Sequence, residues 1–170
     1  MQAALIPETD PALYRKALGC FATGVAVVTT VTAAGVPVGL TVNSFSSVSL
    51  EPALVLWSLR RQSSACEIFS QASCFAVNLL QSAQEDISTR FASRGAEKFE
   101  GLRIRHGLDG VPLLPDCVAA FECRTVRTHI EGDHLLFIGR VERFTLHPDT
   151  EPLIYCRGAY ARRQSGVHCT

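Results

Sequence analysis

Apolar positions along the chain follow two different spacings. Between residues 11 and 21, apolar side chains recur at Leu13, Tyr14, Ala17, Leu18 and Phe21, the three-to-four spacing of one helix face. Asp10 is a good N-cap, and Pro11 takes the first helical position, where a missing N–H is harmless. The pattern predicts a helix, with Gly24 ending the region. Four β-branched runs follow, at 25–31, 36–42, 53–59 and 74–80, with a turn at Ala34-Gly35 between the first two. They are apolar at odd and even positions alike, which predicts strands covered on both faces. Two helices interrupt them, one over about 63–71 and one from Ser82 toward Phe91, where Ser82-Ala83-Gln84-Glu85 fits a capping box. Residues 93–110 hold four glycines and predict a loop with a short helical piece near 97–99. Two long strand patterns, 118–129 and 134–146, are joined by 130–133, where Gly132-Asp133 reads as a hairpin loop. His147-Pro148-Asp149 makes another turn, and 153–156 is a last short strand.

Many closely spaced strands with few helices predict a mainly β fold with appended helices, an antiparallel barrel or sandwich. Strict βα alternation is absent, as are G-x-G-x-x-G, G-x-x-x-x-G-K, G-x-S-x-G and H-E-x-x-H. A length of 170 residues predicts a single domain. Hydrophobic residues make up 47% and charged residues 19%, too apolar for a disordered chain. Sixteen Lys and Arg balance sixteen Asp and Glu, which argues against a nucleic-acid partner. The start carries no basic segment followed by a long apolar one, and no window approaches about 18 uninterrupted apolar residues. A cytoplasmic location without membrane attachment is expected. Seven cysteines (Cys20, Cys66, Cys74, Cys117, Cys123, Cys156 and Cys169) include no C-x-x-C and sit mostly in apolar runs, as free buried thiols do. His129 and His134 flank a turn, and no cysteine pair has zinc spacing, so no metal site is expected.

Four segments could carry chemistry. Thr41-Val42-Asn43-Ser44-Phe45-Ser46-Ser47-Val48-Ser49 packs hydroxyls and an amide between apolar runs. Such groups hydrogen-bond a flat heteroaromatic edge without formal charge, or serve only as turn formers at a strand end. Arg60-Arg61-Gln62-Ser63-Ser64 stands between a strand and a helix. It suits a phosphate, or is a simple N-cap with solvated arginines. Gly132-Asp133-His134 offers an imidazole at a strand entrance, for stacking or hydrogen bonding, or is a surface turn. Arg157-Gly158-Ala159-Tyr160 puts a ring after a flexible glycine, near a guanidinium, or packs its tyrosine on the core.

The order of these pieces resembles one family. The run begins with Gly19-Cys20-Phe21-Ala22-Thr23-Gly24-Val25 and continues through Val38-Gly39-Leu40-Thr41-Val42-Asn43-Ser44-Phe45 and Ser47-Val48-Ser49-Leu50-Glu51-Pro52. It then takes in Phe75-Ala76-Val77-Asn78-Leu79-Leu80, Arg90-Phe91-Ala92, Lys98-Phe99-Glu100-Gly101, Gly132-Asp133-His134, Pro152-Leu153-Ile154-Tyr155 and Arg157-Gly158-Ala159-Tyr160. In this order, and over a core of about 10–161, the chain is similar to the small NAD(P)H:flavin oxidoreductases that serve two-component monooxygenases. The resemblance implies an antiparallel split β-barrel binding FMN or FAD, as a homodimer. It also implies NADH, or NADPH, as co-substrate and a separate oxygenase receiving the reduced flavin. It places Thr41, Val42, Asn43 and Ser44 along the isoalloxazine ring, with Ser47 nearby. Ser63 and Ser64, with Arg60 and Gln62, would hold the flavin phosphate, and Asn78, Arg90 and Phe91 would complete the ribityl and phosphate side. His134, Arg157 and Tyr160 fall on the NAD(P)H side, His134 positioning the nicotinamide. Hydride would pass from nicotinamide C4 to flavin N5, a reaction that needs no protein nucleophile. The alternatives are a flavin-bound reductase of another acceptor, such as a cobalt corrin, and a non-enzymatic flavin-binding barrel.

Overall fold

The structure, a computed structural model, describes residues 4–95 and 97–161; Cys169 lies outside the described residues. Helix α1 (Pro11–Gly19) opens the chain. Strands β1 (Thr23–Gly24), β2 (Ala26–Val31), β3 (Pro37–Val42), β4 (Ser46–Leu50) and β5 (Ala53–Arg60) follow. Then come α2 (Cys66–Gln71), β6 (Cys74–Leu79) and α3 (Glu85–Ala92). The last part holds β7 (Arg105–His106), β8 (Pro112–Leu113), β9 (Ala119–Glu131), β10 (His134–Leu146), β11 (Ile154–Cys156) and β12 (Ala159–Ala161).

Seven strands form one sheet in the order β3-β2-β6-β9-β10-β5-β4, with every pairing antiparallel. Its two outer strands, β3 and β4, are separated in sequence by residues 43–45 only. Four Cα steps reach about 14 Å at most. A flat sheet of seven strands would hold its edges about 29 Å apart. The sheet therefore curls until its edges meet, and the seam between them is closed by chain connectivity rather than by a ladder. Ser44 reinforces that closure: its hydroxyl donates to the Ser58 carbonyl and accepts the Ser58 N–H, each at 3.0 Å. This is the expected antiparallel split barrel.

Inside the barrel, Trp57 stacks on Phe137 at 4.3 Å between centroids and meets the edges of Phe69 and Phe75. A second apolar cluster, including Val25, Val27, Leu80, Ile87, Phe91 and Leu153, packs beneath α3. A separate sheet of β1, β11 and β12 brings Tyr155 and Tyr160 into register as cross-strand partners. β2 and β6 are buried on both faces, as their continuous apolar runs predict. β5 instead alternates, with Val55, Trp57 and Leu59 inward.

Several boundaries differ from the sequence pattern. α2 begins at Cys66 rather than at residue 63, since Ser63 belongs to the turn before it. α3 begins at Glu85, and no capping box forms: the Gln84 side-chain oxygen accepts the Gln81 N–H instead. The piece near 97–99 is a turn rather than a helix. β4 is an edge strand with both faces open and carries serines where a covered strand carries valines, so its pattern predicts only a polar segment. Every described cysteine is free, but Cys20 is exposed, and Cys66 and Cys156 are half-buried. Burial pushes the thiols of Cys117 and Cys123 up to about 12, which keeps them inert.

Asn78, expected beside a ligand, lies in the core with no exposure. Its Nδ2 donates to the Val27 carbonyl at 3.0 Å and to Thr29 Oγ1 at 3.2 Å, and its Oδ1 accepts the Leu114 N–H at 2.9 Å. It pins the segment after β8 to β2 and β6. Asn78→Leu orphans the buried Leu114 N–H and is expected to lower stability by about 2–4 kcal/mol, read from urea denaturation midpoints.

Candidate functional site

Three stretches distant in sequence meet at a cleft of about 690 Å³ beside α3. β3 contributes residues 37–41, the turn before α2 contributes Gln62, Ser63, Ser64 and Ala65, and the end of α3 with the following loop contributes Phe91, Ser93, Arg94, Lys98 and Phe99. Gly39 makes the floor possible. A Cβ there would stand 2.7 Å from Phe91 Cε1 and 3.1 Å from Phe99 Cζ. With glycine present, the two rings pack edge to face at 4.9 Å against the strand.

The walls are mostly uncharged and mix apolar side chains, among them Val36, Val38, Leu40 and Ile68, with the hydroxyls and amide of Thr41, Gln62, Ser63 and Ser64. Ser63 Oγ accepts the Ala65 N–H at 3.3 Å and keeps its own O–H for another partner. α2 has six residues and starts after both serines, so anion binding at Ser63 and Ser64 rests on hydroxyls rather than on a helix terminus. Lys98, in the loop that the sequence predicts over 93–110, is the half-buried cation of the cleft. Its Nζ donates to the Phe91 carbonyl at 2.9 Å and to the Gly39 carbonyl at 3.3 Å, and burial lowers its pKa. One N–H of the ammonium remains beyond those two bonds. The signal for it was the Lys98-Phe99-Glu100-Gly101 piece, which no local periodicity singles out.

A smaller pocket of about 220 Å³ adjoins the cleft. Val25, Thr41, Val42, Asn43, Ser88, Ala92, Tyr155 and Tyr160 line it, and Thr41 and Ala92 line both spaces. Thr41 Oγ1 donates to the Ser88 carbonyl at 2.6 Å, which leaves its oxygen as an acceptor. Tyr160 donates to Ser88 Oγ at 2.8 Å. Ser88 and Tyr155 carry no sequence signal of their own: one is a serine on a helix, the other a residue of a short strand.

Of the residues expected at a site, Thr41, Gln62, Ser63, Ser64 and Phe91 meet in the cleft, and Thr41, Val42, Asn43 and Tyr160 meet in the smaller pocket. The others stand apart from both linings. Ser44 is committed to Ser58, and Ser47 is exposed on the edge strand β4. Arg90 donates to the Glu100 carbonyl at 3.1 Å and braces the loop. Arg157 is exposed, in a left-handed turn at φ 52°, with its N–H bonded to the Gly19 carbonyl at 2.6 Å. Arg60 and His134 face each other across β5 and β10 at the hairpin end. His134 Nδ1 lies 2.8 Å from Asp133 Oδ1, and that bond holds the Asp133 carboxyl below its usual range. Gln62 connects this end to the cleft, because it also lines a shallow hollow with Arg61, Gly132 and Asp133.

The arrangement offers neutral hydrogen-bonding groups, an apolar floor and cations near one end. Among the described residues, no cluster of three or more His, Cys, Asp or Glu is placed to hold a metal ion. No described helix is long and apolar enough to cross a membrane.

Residues 18–163 match a family described as "Flavin reductase like domain". The chain is 46% identical over 149 residues to the FMN reductase (NADH) SmoA of Agrobacterium fabrum, covering 88% of this chain and 84% of that protein. It is 44% identical over 146 residues to the reductase component of the flavin-dependent trigonelline monooxygenase of Acinetobacter baylyi, covering 86% of this chain and 47% of that longer protein. The chain likewise spans 48% of a flavin reductase relative from Rhizobium meliloti. Among solved structures, the NADH:FAD oxidoreductase SgcE6 of Streptomyces globisporus, in complex with NAD and FAD fragments, superposes with a TM-score of 0.90 at 33% identity, covering 98% of this chain and 100% of that one. With its family match over most of its length and its split barrel shared with solved flavin reductases, the chain belongs to the flavin reductase family.

Proposed function

We propose that this chain, acting as a single domain, reduces FMN or FAD with NADH, or with NADPH, and supplies the reduced flavin to a separate monooxygenase component. The observation that carries the proposal is the convergence of Thr41, Gln62, Ser63, Ser64 and Phe91 on one cleft. Its volume lies within the range of roughly 300–1,000 Å³ typical of cofactor sites. Its donor set fits a flavin: hydroxyls and an amide for the ring edge and ribityl chain, and Lys98, Arg94 and two serines for a phosphate.

Bound flavin supplies a ring that accepts hydride at N5 from nicotinamide C4. The protein's part is to bind and orient. Thr41 lines both spaces, Val42 and Asn43 continue that wall into the smaller pocket, and Ser44 fixes the segment through Ser58. Ser63, Ser64 and Gln62 take the phosphate side with Lys98, and Phe91 supplies the floor. Tyr160 lies on the side assigned to the nicotinamide, and His134, at the hairpin end, is assigned to the same side. Positioning of this kind lowers the barrier by removing translational and rotational freedom before reaction.

We further propose a homodimer in the cytoplasm. The support is apolar surface: Leu13, Tyr14 and Leu18 of α1 are exposed, none of α1 is buried, and Phe21 is 79% exposed. Leu50 is 96% exposed and Phe144 65%. Exposed apolar side chains that gather into one patch mark interaction surfaces, and a second copy of the chain is the partner proposed for these.

Steady-state assays of the purified protein test these proposals. NADH oxidation should depend on added free FMN or FAD, and sedimentation should give twice the chain mass. Copurified flavin with no response to added flavin would favour a tightly bound cofactor and another acceptor. His134→Ala should raise the KM for NADH more than it weakens flavin binding measured by fluorescence quenching; equal losses would remove His134 from the nicotinamide side. Ser64→Ala should raise the flavin Kd by roughly five- to tenfold, the loss of one hydrogen bond.

A further inference from the structure

We infer that Ser88 is a positioning residue for the pyridine-nucleotide side of the site, holding the Tyr160 ring at a fixed distance from the Thr41 wall. The inference rests on the proposed role of Tyr160 and goes beyond it by naming the residue that sets the ring's place. Ser88 lies in the middle of α3 and is 1% exposed. A serine buried in a helix usually turns its hydroxyl back onto its own helix. Here the hydroxyl meets Tyr160 at 2.8 Å, across 72 residues of sequence. Its carbonyl meets Thr41 Oγ1 at 2.6 Å, across 47 residues.

One residue therefore ties together both walls of the smaller pocket. The carbonyl holds β3, which belongs to the barrel. The side chain holds β12, which belongs to the separate sheet of β1, β11 and β12. Tyr155 meets the Tyr160 ring edge to face at 5.5 Å, and the Ser88 bond fixes its far end. A ring held at both places cannot swing into the pocket or away from it. At about 220 Å³ the pocket is too small for a whole dinucleotide and matches one flat ring. The ligand portion assigned to it is an uncharged dihydropyridine.

The two bonds can be separated. Ser88→Ala removes the hydroxyl and leaves the carbonyl, so the Thr41 bond survives. Alanine is also the better helix former, so α3 is not weakened by propensity. Tyr160 is only half-buried, and water can take its hydroxyl once Ser88 is gone.

Ser88→Ala, Tyr160→Phe and the double variant are compared by steady-state kinetics with NADH, flavin fluorescence titration and circular dichroism. Each single variant should raise the KM for NADH roughly three- to tenfold, as expected for one lost hydrogen bond. The kcat should change less than twofold and the flavin Kd less than twofold. The double variant should be no worse than either single one, since both remove the same bond. Unchanged KM in Ser88→Ala, additive effects in the double variant, or an equal loss of flavin binding would each overturn the inference. If Ser88→Ala fails to fold, Tyr160→Phe decides: a raised KM at constant flavin Kd supports the inference, and an unchanged KM overturns it. A wild-type protein that neither binds flavin nor oxidises NADH would overturn the proposed function instead.

Discussion

The three-residue connection between β3 and β4 constrains everything else in this molecule. A seven-stranded antiparallel sheet whose outer strands are joined by residues 43–45 has no flat solution. It must curl, and curling leaves a seam along which β3 has no strand partner on its outer side. Backbone groups at such a seam need partners other than a ladder. Residues that bring their own hydrogen-bonding atoms meet that need: Ser44 does so across the seam to Ser58, and the neighbouring Thr41 bonds the Ser88 carbonyl of α3. The same property makes the seam suited to a polar, uncharged ligand edge. Barrel closure and the candidate site thus draw on one stretch of sequence, and Ser44 shows how tightly: its hydroxyl is consumed by closure through Ser58 and is no longer available to a ligand.

What could be read from the sequence follows from where each signal originates. Continuous apolar runs identify β2 and β6, because burial on both faces leaves no room for alternation. The hairpin of β9 and β10 announces itself through Gly132-Asp133, since a two-residue loop demands residues that tolerate unusual backbone angles; Gly132 has φ 57°. β4 escaped detection because its serines lie on an open edge. Asn78 shows a related limit. A conspicuous amide within an apolar strand reads as a ligand contact, yet its three hydrogen bonds all run to Val27, Thr29 and Leu114. Whether a polar side chain in a strand faces a cleft or knots a core depends on partners dozens of residues away, and no local pattern contains them.

The same limit explains Lys98 and Ser88. Neither belongs to a periodic stretch that gives it meaning. Each acquires a role only when α3 docks on β3: Lys98 then bridges the carbonyls of Gly39 and Phe91, and Ser88 bridges Thr41 and Tyr160. That docking in turn needs a glycine at position 39, since a Cβ there would collide with the Phe91 ring. A single absent side chain on β3 sets the helix height, and the helix height sets both bridges.

The balance of charge in the cleft bears on how firmly it can hold a ligand. Hydrogen bonds between neutral groups contribute about 0.5–1.5 kcal/mol net, and those involving a charge about 1.5–3 kcal/mol. The walls assigned to the ring offer only the first kind. Only Arg94 and Lys98 offer the second, and of these two of the Lys98 N–H groups already serve backbone carbonyls, while burial lowers the pKa that keeps Lys98 charged. Its attraction for a phosphate is therefore shared with the protein. A site built of such groups can orient a flavin well without holding it tightly. That is what the proposed function requires, because a reductase that feeds a separate oxygenase must release its product. Strong binding here would need further unshared cations at the serine turn, and Gln62, Ser63 and Ser64 supply hydroxyl and amide groups instead.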